Sequence, residues 1–474
     1  MRKLLLATAA MLGATVGATG LAVAAPPFTA QGTVATPANA GSYTYGDNNY
    51  MGGTMTKGPV ANPTPGTMVI RLGVRMDVGI SAAWSNLDEA GGPTKLNPVQ
   101  MAEYLRLYPG VDAMADNGLR YGAAAEIRQN YASASGGGGA FVGGIGTSPW
   151  LSTQTLFVRR AFAYVAANNF GIIRLGEMDG LMGTYDEGGA TTGVFLSPSG
   201  TIVGGNLQSA NVGNAWMAPY FGAQSGAEYG PTKIVYMTPS FYGFDFGLEY
   251  APSQYNQYGI GSGANPLSAG CASGPLGGDA CVNASATAGG EAVWTNLWSV
   301  GGRYQHQIGP VAVLAYATYI GSGVVQNSTG PTEFNPLSFF QIGANVTVAG
   351  VSVFGNLLHG TVNGDYGVNA VGAVPSTGFG AGVKYSYGPY SIGALYSQLD
   401  DQGVAGPLVG KTQRHAWVFA AAATYAPAPG LIFYLDYDYG QQHQGDFDFA
   451  TNTLGTAYNN VRAQGVMFGT VVKW

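Results

Sequence analysis

The sequence LFVRRAFAYVAANNFGIIRLGEMD, at residues 156–179, decides how the chain folds. Two short segments rich in β-forming residues flank a tight turn, Asn-Asn-Phe-Gly, at residues 168–171, and this arrangement is typical of a β-hairpin. After the hairpin the regular pattern stops for about fifty positions, until residue 228. A compact domain rarely contains an irregular loop of that length unless the loop has a function, so we expect a functional loop at about residues 179–228.

The composition argues against an ordinary soluble protein. Only 9% of the 474 residues are charged, 12% are aromatic and 76 are Gly, whereas a soluble protein of this length normally carries more charge. No stretch after the first residues offers an unbroken apolar span as long as a membrane helix needs. Low charge, abundant Gly and Tyr, and repeated alternation of apolar and polar residues together favour a transmembrane β-barrel.

The first residues predict a secretory signal. Arg2 and Lys3 precede an apolar run that ends in Ala-Val-Ala at residues 22–24, a typical cleavage site, so residues 1–24 are expected to be removed. A retained helical anchor is the alternative. Without this signal the chain has 17 basic and 25 acidic residues, a net charge of −8, which argues against nucleic acid as a partner. Residues 25–67 show no sustained periodicity and predict a flexible periplasmic extension, with a position inside the lumen as the alternative.

Residues 68–474 predict sixteen strands by their two-residue alternation. Connections at one end are short and those at the other end are long, which is typical of a barrel with periplasmic turns and extracellular loops. The sequence therefore predicts an all-β fold, a sixteen-stranded antiparallel transmembrane β-barrel. A barrel that wide is not filled by its own side chains, so we expect an aqueous channel. The short turns are Gly309-Pro310, Ala349-Gly350, Gly388-Pro389 and Pro429-Gly430.

The hairpin and the long loop that follows it resemble those of the general porins of the Gram-negative outer membrane. The end of the chain, residues 466–474, also resembles the last strand of those barrels, because apolar residues alternate up to a terminal Trp. The resemblance implies an infolded third loop that narrows the channel, and a homotrimer that contacts outer-membrane lipids. It implies passive diffusion of ions and small hydrophilic solutes. Unlike many members, residues 218–222 lack an acidic residue, so we expect the acidic side of the constriction earlier in the loop.

Alternation places arginines of the first five predicted strands on the lumen face. An Arg that faced lipid at the midplane would cost about 2–4 kcal/mol, whereas an Arg in an aqueous channel stays hydrated. Because neighbouring strands lie about 4.8 Å apart, these side chains are expected to form a basic patch on one wall. By resemblance, Arg75, Arg106 and Arg159 match the basic ladder of general porins best. The other residues predicted for the basic side are Arg174, Arg120 and Arg128, and those predicted for the acidic side are Glu177, Asp179, Asp186 and Glu187.

Two further expectations concern these charges. Arg160 shares the parity of Phe162 and Tyr164, so we expect it to face outward, at a subunit interface. Each lumen arginine has an alternative role in a salt bridge to a neighbouring acid, such as Asp77 or Glu126, with little effect on permeation. The predicted outer loops are rich in acidic residues and attract cations, while the basic wall opposes them. The sequence therefore predicts a weak cation selectivity.

No pattern in the sequence predicts catalysis. The four histidines are scattered without the spacing of metal ligands, and we find no nucleophile, base and orienting group that the predicted strands would bring together. We therefore expect neither an enzyme nor a cofactor nor a metal. Two other functions stay open. A substrate-specific channel for sugars or carboxylates would show an aromatic slide along the lumen, and a structural or adhesive barrel would have a blocked lumen.

The two cysteines, Cys271 and Cys281, are predicted to form a disulfide in the fourth extracellular loop. The chain passes through the oxidising periplasm, where neighbouring cysteines pair, and closing so short a loop adds on the order of 2–3 kcal/mol of local stability. Free thiols are the alternative. Labelling of denatured, unreduced protein with a thiol reagent should find no free cysteine, and two labelled cysteines would contradict the bond.

Overall fold

A computed structural model of the chain shows one closed barrel of sixteen antiparallel strands. Each strand pairs with the barrel strands before and after it along the chain, and the last strand pairs with the first. The predicted sixteen-stranded barrel is confirmed. Within the described ranges, no helix combines the length and the apolar character needed to cross a bilayer. The described residues are 63–90, 99–129, 156–167, 169–186, 232–253, 292–326, 332–363, 367–403, 413–451 and 453–473.

The barrel strands are numbered here in chain order. They are β1 (Thr67–Ser85), β2 (Val99–Met114), β3 (Arg120–Gln129), β4 (Leu156–Ala167), β5 (Gly171–Glu177), β6 (Thr232–Met237), β7 (Phe244–Ser253), β8 (Val293–Ile308), β9 (Val311–Val325), β10 (Ser338–Val348), β11 (Val351–Thr361), β12 (Ser376–Tyr387), β13 (Tyr390–Asp401), β14 (Arg414–Ala428), β15 (Leu431–His443) and β16 (Asn460–Lys473). The helical segments are a 3-10 helix (Asn86–Ala90) and α1 (Leu181–Tyr185). Two small ribbons, Phe334–Asn335 with Asn369–Ala370 and Phe447–Asp448 with Thr453–Leu454, lie in the loops.

The barrel closes between its first and last strands. β1 pairs with β2 and, from Arg75 to Ser85, with β16. A closed sheet has no free edge, so its strand backbones are hydrogen-bonded within the barrel, as a lipid environment requires. Successive residues then point alternately to lipid and to the lumen. In β1, Leu72 and Ile80 are exposed on the outside, whereas Arg75 and Asp77 are buried.

Short turns join the strands at the periplasmic end, and long loops join them at the extracellular end. The predicted turns at residues 309–310, 349–350, 388–389 and 429–430 are all present. At residues 349–350, Ala349 and Gly350 both have positive φ, +50° and +80°, as a two-residue turn between twisted strands requires. Because the number of strands is even, the start of β1 and the end of β16 lie at the same, periplasmic end.

Aromatic side chains form a band near each edge of the outer surface. At the periplasmic edge the rings of Tyr390 and Tyr425 stack with centroids 4.9 Å apart. At the extracellular edge the rings of Tyr396 and Trp417 lie 6.0 Å apart. Such bands are favoured where a membrane meets water. Tyrosines at outward positions of their strands belong to these bands, namely Tyr304, Tyr385, Tyr387, Tyr390, Tyr425 and Tyr437.

Apolar clusters fill parts of the barrel interior. One cluster joins the aromatic residues of β2 and β4 to residues 178–185 at the start of the third loop. Two others lie at the extracellular end, where residues of the loops after β9, β11 and β15 pack against inward residues of the wall. The interior is therefore partly filled by loop residues, and the third loop begins inside the barrel.

Candidate functional site

Arginines occupy neighbouring register positions of the first three strands. In register, Arg75 of β1 is opposite Arg106 of β2, and Arg106 is opposite Arg128 of β3. Like charges directly opposite one another destabilise a sheet, and acids on the same wall offset this repulsion. Arg75 Nη2 lies 2.9 Å from Asp77 Oδ2, and Arg106 Nη1 lies 3.9 Å from Glu126 Oε1. Arg75 and Arg106 thus face the lumen as predicted, in contact with wall acids.

A β-bulge in β4 changes which residues of that strand face the lumen. Glu126 of β3 is opposite Arg160, but the next residue, Ile127, is opposite Val158. Arg159 is the extra residue that has no partner in the register. A bulge shifts the alternation by one position, so the parity of the residues before it does not apply to those after it.

The expectation that Arg160, Phe162 and Tyr164 face outward is therefore wrong. Their side chains are buried inside the barrel, where the Tyr164 hydroxyl donates a hydrogen bond to Asp112 of β2. The small residues between them, such as Ala163, face outward instead. Sequence alternation alone missed the change because a bulge leaves no composition signal in β4.

Arg160 connects the wall to the third loop. Its Nε donates to Glu126 Oε2 at 2.7 Å, its Nη2 donates to the same oxygen, and its Nη1 donates to Asp179 Oδ2 at 2.6 Å. Only 1% of Arg160 is exposed. Charge-assisted bonds of this kind are stronger than neutral ones. We call the contact of Arg160 with Glu126 and Asp179 the wall clamp. It fixes the first residues after β5 against β3 and β4.

The helix α1 follows the wall clamp and lies against the inner wall at β7, β8 and β9. The Leu181 N–H donates to Glu249 Oε2 at 2.7 Å, and Glu249 Oε1 lies 2.9 Å from Lys233 Nζ. Arg174 Nη2 donates to Thr184 Oγ1 at 3.1 Å. The start of the third loop is therefore also attached to β5 and β7.

The end of α1 contacts two more strands. The guanidinium of Arg303 in β8 lies 5.1 Å from the ring centroid of Tyr185, and its Nη2 lies 2.9 Å from Asp245 Oδ2. The Tyr316 hydroxyl of β9 donates to Asp186 Oδ1 at 2.8 Å. Burial raises the pKa of Tyr185 well above its ordinary value. Side chains of five strands hold residues 179–186.

Glycines on the wall leave room for this helix. Inward-facing Gly247 of β7 and Gly301 of β8 lie directly beneath Leu181, and a Cβ atom at Gly247 would overlap with the Leu181 side chain. Gly in a strand interior often marks such a close approach. These two glycines thus allow α1 to lie close to the wall.

The other predicted site residues are not brought together. Arg120 is buried at the periplasmic start of β3, away from the wall clamp, and Glu177 is half-buried at the end of β5. The side chains of Arg128 and Arg159, and the whole of Glu187, lie outside the described residues. Several inward charged residues were not among those predicted for the site, although strand alternation could have identified them, namely Lys233, Asp245, Glu249, Arg303, Asp436 and Asp438.

No metal site is found in the part of the chain that the structure describes, where no three His, Cys, Asp or Glu residues are grouped to hold an ion. His415 contacts Asp400 on the outer surface of β13 and β14. Cys271 and Cys281 lie outside the described residues, so their disulfide stays a prediction.

Replacing Arg160 with Ala should destabilise the barrel more than replacing any exposed arginine. The change leaves Glu126 and Asp179 buried without their shared partner, and breaking a buried pair in this way costs about 3–5 kcal/mol. The free energy of unfolding from lipid vesicles in urea, followed by Trp fluorescence, measures the loss. Arg462→Ala is the matched control, because Arg462 is exposed on β16. Equal stability of the two variants would contradict the wall clamp.

Comparison with known proteins identifies the family. The family model described as Gram-negative porin matches residues 7–445. A search of curated proteins found no match. Among solved structures, the chain is similar to an anion-selective porin from Comamonas acidovorans, with 14% identity, a TM-score of 0.48, and coverage of 86% of this chain and 100% of that one.

Two further structures are similar. OmpT in its trimer form, an outer membrane protein of Vibrio cholerae, has 9% identity, a TM-score of 0.47, and coverage of 86% of this chain and 99% of that one. A mutant of the Rh. blastica porin has 12% identity, a TM-score of 0.45, and coverage of 86% and 100%. From the family match, together with the closed barrel, we conclude that the chain belongs to the Gram-negative porins and forms an outer-membrane channel for passive diffusion of solutes.

Proposed function

We propose that the channel is a general diffusion pore for ions and small hydrophilic solutes, narrowed by the third loop at about residues 179–228. The observation that carries this proposal is the wall clamp, in which Asp179 lies 2.6 Å from Arg160 inside the barrel. A loop that starts on the inner wall is directed across the lumen before it reaches the mouth. The rest of the loop is mostly uncharged, which suits packing against that wall.

The lumen aromatics favour a general pore over a sugar-specific one. A sugar channel needs aromatic faces that are open to the solute. Here the Tyr316 hydroxyl donates to Asp186, and the Tyr434 hydroxyl donates to Asp77 at 2.9 Å. Both tyrosines are buried. These side chains serve as hydrogen-bond donors to wall and loop acids, so they offer no aromatic slide.

We propose that the pore is weakly cation-selective. Asp179 and Asp186 are bound by Arg160 and Tyr316, so they partly offset the basic wall. The acid-rich outer loops concentrate cations at the mouth. Screening over about 10 Å at 0.1 M salt weakens distant mouth charges more than charges at the constriction. The two effects therefore nearly cancel, and the preference for cations is expected to decrease as salt rises.

Replacing Arg75 and Arg106 with Ala should make the pore more cation-selective. A positive charge about 8 Å from the solute path raises the energy of a cation and lowers that of an anion by about 0.5 kcal/mol each in a water-like dielectric. Before screening by salt, each removed arginine should therefore raise the cation-to-anion permeability ratio about sixfold. Reversal potentials under a salt gradient measure the ratio. Arg462→Ala on the outer surface serves as the control. A reversal potential that ignores the Arg75 and Arg106 changes would mean that neither residue lines the path.

We propose a homotrimer whose subunits meet at the outer faces of β1 to β5. The aromatic bands described above are sparse there, since Trp84 and Tyr121 are the large aromatic residues at outward positions of these strands within the described residues. Instead, Ala123 is opposite Ala163 on the outward face of β3 and β4. Small outward residues let another subunit approach closely, whereas strands that face lipid carry aromatic anchors.

We further propose that the chain has no enzymatic activity, cofactor or nucleic-acid partner, and that its outer bands contact outer-membrane lipids. Residues 1–24 are proposed to be removed on export, leaving residues 25–67 as an extension before the barrel. The charge balance that supports the absence of a nucleic-acid partner is the net −8 of the chain without its signal.

A further inference from the structure

The inward face of the extracellular half of the barrel is not uniform. On β8 to β16 many of its inward positions are apolar, including Leu358 of β11, Leu399 of β13 and Val418 of β14, and all three are buried. An aqueous channel has a polar interior in porin-type barrels. Apolar side chains at these positions must be shielded from water. Side chains of the extracellular loops pack on them and provide this shielding.

Loops 5 and 6, which follow β9 and β11, provide one part of this shielding. Their short segments pair as a ribbon in which Phe334 is opposite Ala370. Phe334, Leu337 and Val368 are buried in one cluster with inward residues of β8 to β13. Burying large apolar side chains of this kind stabilises the position of the loops on the wall. The loop residues therefore form a packed apolar core in the lumen, against the inner face of the wall.

Hydrogen bonds hold this ribbon to the ends of the strands. Gln326 Nε2, beyond the end of β9, donates to the Phe334 carbonyl at 2.6 Å, and Gln326 Oε1 accepts from the Phe334 N–H at 2.8 Å. The Ala370 N–H donates to Gln402 Oε1 at 2.6 Å, and Asn363 Nδ2 donates to the Gly403 carbonyl at 2.8 Å. Loops 5, 6 and 7 are thereby tied together over the lumen.

Loop 8, which follows β15, covers the wall next to it. The rings of Phe447 and Phe449 meet edge to face with centroids 5.0 Å apart, and the Arg414 guanidinium lies 5.7 and 5.2 Å from them. These rings belong to one buried cluster with Val418 and with Leu87 of the 3-10 helix. Loop 8 therefore folds onto the inner wall instead of projecting outward.

The same core reaches the third loop. Met182 of α1 is fully buried in the cluster that contains Phe334 and Val368. The wall clamp holds the start of the third loop from the β3 and β4 side, and Met182 joins α1 to the buried cluster that also contains the ribbon of loops 5 and 6. The wall clamp and the buried cluster thus hold neighbouring parts of the start of the third loop, since Asp179 and Met182 are three positions apart.

We propose that residues 332–337, 367–371 and 444–451 form a fixed loop cap that closes the extracellular half of the lumen along β8 to β16. The solute path then runs on the side of β1 to β6, outside the loop cap, where Arg75, Arg106 and Lys233 occupy inward positions of their strands. Loop 8 thus limits the size of solutes independently of the third loop. The inference rests on the proposed diffusion pore and adds a second determinant of its size limit.

The first test replaces Phe447 and Phe449 with Ala together. Single-channel conductance in planar bilayers should rise by about 1.5-fold, and liposome swelling should show entry of larger sugars, because the solute path widens when the rings are removed. Phe379→Ala with Phe419→Ala is the matched control, since both residues are exposed on the outer surface of β12 and β14. Unchanged conductance and an unchanged sugar limit in an assembled barrel would overturn the loop cap.

A second measurement does not depend on that variant folding. In a background with Cys271→Ser and Cys281→Ser, Val418→Cys tests coverage directly. A water-soluble thiol reagent should react with it far more slowly than with Ser352→Cys, because Ser352 is only half-buried at an inward position of β11 near the periplasmic end. Equal rates would overturn the loop cap. An inserted barrel that conducts no ions at all would instead contradict the proposed pore.

Discussion

A buried charge in a channel wall requires a neighbouring opposite charge. In the contact of Arg160 with Glu126 and Asp179, each of the three buried side chains has such a partner. The guanidinium donates to both acids, at 2.7 Å and 2.6 Å, while only 1% of Arg160 is exposed. An isolated buried ion would cost several kcal/mol, whereas a well-bonded group of ions offsets that cost. Because Asp179 lies directly before α1, electrostatic pairing on the wall also determines where the third loop begins.

The closed sheet makes this arrangement possible. All strand hydrogen bonding is internal, so the outer face is free to be apolar and the inner face is free to carry charges. Each inward charge can then be paired along or across strands, as in Arg75 with Asp77 and Lys233 with Glu249. Gly247 supplies the remaining requirement, which is space for Leu181 against the wall. The ion pairs on the wall, the wall glycines and the apolar clusters formed by loop residues thus make the two sides of the lumen different.

Much of this fold follows from the sequence. Alternation with a two-residue period predicted the number of strands, the turns and the inward position of Arg75, Arg106 and Arg174, since a barrel strand must separate lipid from water at each residue. It failed at Arg160, because a β-bulge adds one residue without altering the pattern of residue types. It also gave no account of which acid binds which arginine. Such pairs join residues as distant in sequence as Asp245 and Arg303, and only the register of the sheet brings them together.

If the third loop, attached through residues 179–186, sets the width of the channel as we propose, a shorter third loop should widen it. The most direct measurement is the single-channel conductance and sugar size limit of a variant in which residues 190–226 are replaced by a short Gly-Ser linker, with α1 and its wall contacts kept. A variant in which residues 131–152 of loop 2 are replaced by the same linker controls for general loop shortening. We expect higher conductance and a larger size limit for the third-loop variant alone. An assembled third-loop variant with the conductance and size limit of the unmodified channel would contradict that expectation.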